Sequence, residues 1–124
     1  MSSVIEVAND LVDLCRQGRF MEALKYYADD AISVEAAAPE NTSTVSEGID
    51  AIRTKGETWG AAHEVHNVEV MGPFVGGSQF AVYFAFDITQ KESGQRMTLR
   101  EMGLYDVTDG VITREEFFYN MPGL

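Results

Sequence analysis

Apolar positions recur every three or four residues in the first half of the chain and every two residues in the second, so helices are expected first and strands after them. Residues 3–17 place Ile5, Ala8, Leu11, Val12 and Cys15 on one helical face, and Gly18 follows where a helix end favours glycine. Phe20, Leu24 and Tyr27, with Ala23 and Tyr26 beside them, predict a second short helix that stops near Asp29 and Asp30. A short strand is expected over Ala31–Ala36, where Ile32 and Val34 alternate with Ser33 and Glu35. Residues 37–46 have the composition of a loop. Ser46 then suits an N-cap, with Glu47 in the first turn, and predicts a third helix to about Glu64. Ile49, Ile52, Gly56, Trp59 and His63 share one face of that helix.

Period two begins at Val65. One strand is expected over Val65–Val75, kinked at Pro73 and turned by Gly76-Gly77, and a second over Ser78–Gln90 with Phe80, Val82, Phe84, Phe86 and Ile88 on one face. Lys91–Gln95 turns the chain into a third strand, and Asp109-Gly110 is a two-residue hairpin signal leading to a fourth. Regular pairing about that turn sets Val107 opposite Ile112, Tyr105 opposite Arg114, Gly103 opposite Glu116 and Glu101 opposite Phe118, which puts all eight on one face. Aromatic and charged side chains on a covered face are what a ligand cavity needs. Three helices before an antiparallel meander make an α+β fold with the helices on one face of a curved sheet.

The chain has 124 residues and fits one domain spanning 1–124. Its net charge of −11 repels phosphate backbones and anionic lipid, so neither nucleic acid nor membrane is an expected partner. No apolar run of membrane-spanning length and no secretory signal is visible, and the expected location is cytoplasmic. Cys15, the single cysteine, reads as a small buried hydrophobe. One cysteine and two histidines with no ligand spacing give no expectation of a metal site.

The order of elements, with GRFMEALKYYADDAISVE, SEGIDAIRTK and EMGLYDVTDGVITREEFFY, resembles the nuclear-transport-factor-2-like superfamily, most of all its SnoaL-like polyketide cyclases and ketosteroid isomerases. The resemblance covers nearly the whole chain. It implies a cone-shaped, cystatin-like α+β barrel whose curved antiparallel sheet holds three N-terminal helices on its concave face. It also implies a cofactor-free pocket between sheet and helices, and often a homodimer through the convex face. Carried over from the isomerases, the general base falls on Glu35 and the protonated acid of the oxyanion hole on Glu101. The tyrosine donor of the first helix matches Leu11, which has no donor and argues against steroid isomerisation proper. The pattern places Phe80, Val82, Phe84, Phe86, Tyr105, Arg114, Glu116 and Phe118 on the cavity side.

These residues support a proton-moving enzyme that acts on a small apolar carbonyl compound without metal or organic cofactor. Glu35 would be the base and Glu101 the acid or oxyanion donor. His63 would be a proton-transfer partner, unless it is a satisfied core histidine. Tyr27, Trp59, Phe84, Phe86, Tyr105, Arg114, Glu116 and Phe118 would form the ligand wall. Arg114 could instead pair with Glu116 or with a structural Glu101. Two other classes stay open: a binding module without chemistry, and a protein-interaction domain. On the convex face Met102, Leu104, Phe117, Tyr119, Tyr83 and Ala85 form an apolar patch that predicts a homodimer through the sheets.

Overall fold

A computed structural model describes residues 2–120. Helix α1 (Val4–Arg16) starts at a capping box, in which the Ser3 hydroxyl accepts from the Glu6 amide and the Glu6 carboxylate accepts from the Ser3 amide. It ends at Gly18, whose φ of 75° lets the Arg19 amide turn back to the Leu14 carbonyl. Its apolar stripe, Val7, Ala8, Leu11, Val12 and Cys15, is buried. The second predicted helix is a single 3₁₀ stretch, Met21–Tyr26.

Strand β1 (Tyr27–Val34) begins earlier than expected, and β2 (Val45–Glu47) takes the end of the segment read as loop and the residue expected to open the third helix. Three residues are too few to reveal a period of two. Ser46 therefore pairs with Ser33 instead of capping a helix, and α2 (Ile49–Ala62) starts from Gly48, which has φ 89° and offers no side-chain cap. The meander follows as β3 (His63–Gly76), β4 (Gln79–Gln90), β5 (Arg96–Thr108) and β6 (Val111–Phe118). A register shift between Met71 and Phe74 accommodates Pro73, as the sequence suggested.

The six strands form one mixed sheet in the order β2-β1-β6-β5-β4-β3, with β1 parallel to β6 and every other pair antiparallel. It is an open, curved sheet with the helices on its inner face. The core runs from α1 into Phe80, Val82, Phe84, Phe86 and Ile88 of β4, Tyr105 and Val107 of β5 and Ile112 of β6. Parallel pairing of β1 with β6 sets Ser33 beside Glu115 and Val34 beside Glu116, and this juxtaposition builds the site.

Candidate functional site

The hairpin after Asp109-Gly110 starts in the expected register and then leaves it. Val107 pairs with Ile112, but Asp106 pairs with Arg114, so Thr113 is an extra residue on β6, and its hydroxyl donates to the Asp106 carbonyl at 3.4 Å. Beyond this bulge every β6 side chain changes face. Tyr105 lies opposite Glu115, Gly103 opposite Phe117 and Met102 opposite Phe118. Glu115 and Phe117 thus point inward, whereas Arg114, Glu116 and Phe118, expected on the cavity wall, lie on the outer face. Arg114 and Glu116 pair with each other there at 3.0 Å, and Arg114 is not a partner of Glu101.

The inward turn completes a polar chain across three elements, β1, α2 and β6. Glu115 is 4% exposed and accepts from the Tyr27 hydroxyl on one oxygen and from Ser33 Oγ at 2.6 Å on the other. Ser33 Oγ in turn accepts from Lys55 Nζ on α2. That ammonium also donates to Glu35 Oε2 at 2.9 Å, stands 4.0 Å from Glu115 Oε2 and lies 5.7 Å over the Phe117 ring. The second Glu35 oxygen accepts from the Tyr119 hydroxyl at 3.0 Å.

Glu101 enters the same cluster from β5, with Phe84 opposite it on β4. Burial raises its carboxyl to about 8, helped by repulsion from Glu35 and Glu115 and opposed by Lys55. Glu115 is also raised by burial, against the pull of its hydrogen bonds from Ser33 and Tyr27 and of Lys55. Burial and Glu35 push the Tyr119 phenol up to about 12. At neutral pH Glu101 is therefore a protonated acid beside an ion-paired Glu35. A neutral carboxyl can donate to an oxygen that gains negative charge, and an ionised one can accept a proton.

A family model described as a SnoaL-like domain matches residues 2–119. The chain belongs to the SnoaL-like family. It is 44% identical to a candidate SnoaL-like polyketide cyclase from Mesorhizobium loti, with 95% of this chain and all of that one covered and a TM-score of 0.89. Two more distant structures share the fold. One is a protein of ketosteroid isomerase-like fold from Catenulispora acidiphila in complex with trimethylamine, 13% identical over 98% of this chain and 88% of that one, TM-score 0.73. The other is TerC co-crystallised with polyporic acid, 18% identical over 96% and 92%, TM-score 0.73. No curated relative matches the chain.

Among the residues anticipated from sequence, this SnoaL-like protein brings Glu35, Glu101, Tyr27 and Tyr105 together. Tyr105 is buried and stacked on Phe80 at 4.7 Å. Trp59, Phe84 and Phe86 form the aromatic wall, with Phe86 5.6 Å from Trp59 and 5.7 Å from Phe84. His63 does not reach the carboxyls: it stacks on Trp59 at 4.5 Å and donates from Nδ1 to the Trp59 carbonyl at 2.8 Å, so it acts as a C-cap. Ser33, Lys55, Glu115, Phe117 and Tyr119 were not anticipated. Lys55 had a signal, as a cation on the apolar face of α2 between Ile52 and Trp59. Ser33 had one too, since it is in phase with Glu35 on β1. Glu115, Phe117 and Tyr119 had none, because the bulge that turns them inward leaves no mark in composition.

The outer face carries its own pattern. Met71, Tyr83, Met102 and Phe118 pair in sequence across β3, β4, β5 and β6, a continuous apolar row, and Phe74, Ala81, Leu104 and Glu116 form the next. Met71, Phe74, Met102 and Phe118 are well exposed. Phe117 and Tyr119, expected on this face, are inside, and Phe118 replaces them. A shallow cleft of about 490 Å³ joins the row to the site, bordered by Tyr83, Met102 and Phe118 and by Glu101 and Tyr119. None of the described helices is long and apolar enough to cross a membrane.

Proposed function

We propose that this SnoaL-like protein carries out acid–base chemistry of the isomerase, cyclase or dehydratase kind, needing no cofactor, on a small, largely apolar carbonyl compound. The observation that carries the reading is Glu101, a carboxyl held protonated to about pH 8 within the field of Glu35 and Lys55. Glu101 would donate to the substrate carbonyl oxygen while Glu35 takes a proton from the adjacent carbon, giving an enol that collapses along the route the substrate allows. Lys55 and Tyr119 hold the two Glu35 oxygens in place, and the C–H groups that a carboxylate can deprotonate are acidified ones, such as those of 1,3-dicarbonyl or β,γ-unsaturated carbonyl compounds. Trp59, Phe84 and Phe86 supply apolar walls. The complexes of TerC and of the Catenulispora acidiphila protein support a small-molecule pocket in this fold.

The test is exchange of α-protons in D₂O, followed by NMR on a panel of such ketones. Wild type is expected to exchange at least one of them, and Glu35→Gln and Glu101→Gln to lose about 100-fold or more. Equal rates in all three proteins would remove the assignment. A ligand-binding protein without chemistry is the second reading, favoured by Leu11, which fills the core where the related isomerases hold a donor. Its outcome is quenching of Trp59 fluorescence by a ketone that undergoes no exchange. The proposal extends to a second copy of the chain seated on the convex row. Arg100 and Asp106 flank Met102 and Leu104 on β5, and an antiparallel two-fold places each Arg100 against the Asp106 of the other copy.

A further inference from the structure

We infer that Glu115 is the buried anchor of the site: through Ser33 it positions Lys55 against Glu35, and so governs the acid–base pair without touching substrate. The inference rests on the acid–base reading above. Its basis is the direction of each hydrogen bond. Ser33 has one hydroxyl proton, donated to Glu115, and so can only accept from Lys55. Glu115 and Glu35 each accept two hydrogen bonds, and the one ammonium is shared between Glu35 Oε2 and the Ser33 hydroxyl that Glu115 holds.

The groups that face Glu115 come from every element around it: Tyr27 and Ser33 on β1, Glu35 beyond its end, Lys55 on α2, Tyr105 and Glu101 on β5, and Cys15 on α1. Lys55 is the single cation among them. Removing the Glu115 charge would release Lys55 toward Glu35 and lower the negative potential at Glu101. The arrangement also names a substrate class. The Lys55 charge is already engaged by Glu35 and Glu115, so among the described residues the buried cluster offers an anionic group no further cation, Arg100 standing at the rim of the cleft, and the site accepts neutral carbonyl compounds in preference to carboxylates or phosphates.

The experiment compares wild type, Glu115→Gln and Ser33→Ala by ¹³C NMR titration of the glutamate carboxyls and by exchange kinetics. In Glu115→Gln the Glu101 midpoint is expected to fall by about one pH unit, as loss of a neighbouring like charge predicts. The exchange rate constant should drop about tenfold with KM within twofold. Ser33→Ala, which keeps the Glu115 carboxyl and cuts its link to Lys55, should lower the rate while moving the Glu101 midpoint less. An unchanged Glu101 midpoint together with an unchanged rate in Glu115→Gln would overturn the inference. If wild type exchanges no substrate, the acid–base reading fails, and the midpoints of the folded variants still decide whether Glu115 controls the site. If Glu115→Gln does not fold, Ser33→Ala decides, and a rate equal to wild type overturns the inference.

Discussion

Ile112 and Glu115 lie three residues apart on one strand, yet both point into the protein, because Thr113 is bulged out of the pairing between them. In a regular strand an odd separation puts side chains on opposite faces. Deleting Thr113 would let Arg114 follow Ile112 directly, which keeps Asp106 opposite Arg114 and Tyr105 opposite Glu115, so Glu115 and Phe117 would stay inward without the bulge. The deletion variant is therefore expected to keep a cooperative thermal transition. A variant without one would contradict the bulge.

The same bulge marks the limit of what the sequence discloses. The alternation through Phe80, Val82, Phe84, Phe86 and Ile88 and the Asp109-Gly110 turn were legible, because one register buries the apolar set and the other exposes it. No such contrast exists over residues 114–119, where three charged side chains are followed by three aromatic ones. Sliding that segment by one residue exchanges a charge for a charge and an aromatic for an aromatic. Glu101 could be placed because β5 keeps its phase, whereas Glu115 depends on the bulge. Glu35 was placed by the family resemblance alone, and Ser33, two residues before it, shares its phase.

Glu101 links the proposed chemistry to stability. Its carboxyl ionises near pH 4.3 in an unfolded chain but only near 8 in the folded protein, chiefly through burial. The folded state therefore binds more protons between those values, and the stabilisation present below about pH 4.3 is lost as pH rises through 8. Glu101→Gln cannot ionise. It is expected to be more stable than wild type at pH 8.5 by on the order of 2–4 kcal/mol, with the gap narrowing toward pH 5. Urea unfolding of both proteins at the two pH values measures this. A gap that does not change with pH would mean that Glu101 is solvated.

Gly103 makes room for two rings. A Cβ there would fall 2.9 Å from Tyr105 Cε2 and 3.1 Å from Phe117 Cε1, and Tyr105 cannot swing aside while it is buried and stacked on Phe80. Gly103→Ala is expected to lose about 1–3 kcal/mol, the usual range for overpacking. Gly60, on the exposed side of α2, meets nothing within 4 Å, and Gly60→Ala should gain about 0.5–1 kcal/mol from helix propensity. Urea midpoints that move in the same direction for both variants would refute the packing argument.

Met102 is the centre of the proposed interface between copies. It pairs with Tyr83 on one side and Phe118 on the other, and it borders the cleft that reaches Glu101. Placing a charge there should separate the copies, because an unpaired carboxylate between two apolar sheet faces loses its hydration with no partner. Met102→Glu is expected to run as a monomer by light scattering at micromolar concentration, where wild type runs as a dimer. Charge reversal tests the orientation separately. Arg100→Asp alone sets two acids against each other and should weaken the dimer, and adding Asp106→Arg should restore it, because the double change reinstates both cross-copy pairs with their signs exchanged. A monomeric wild type would eliminate the interface. A double variant no more dimeric than Arg100→Asp would keep the interface and reject the antiparallel two-fold.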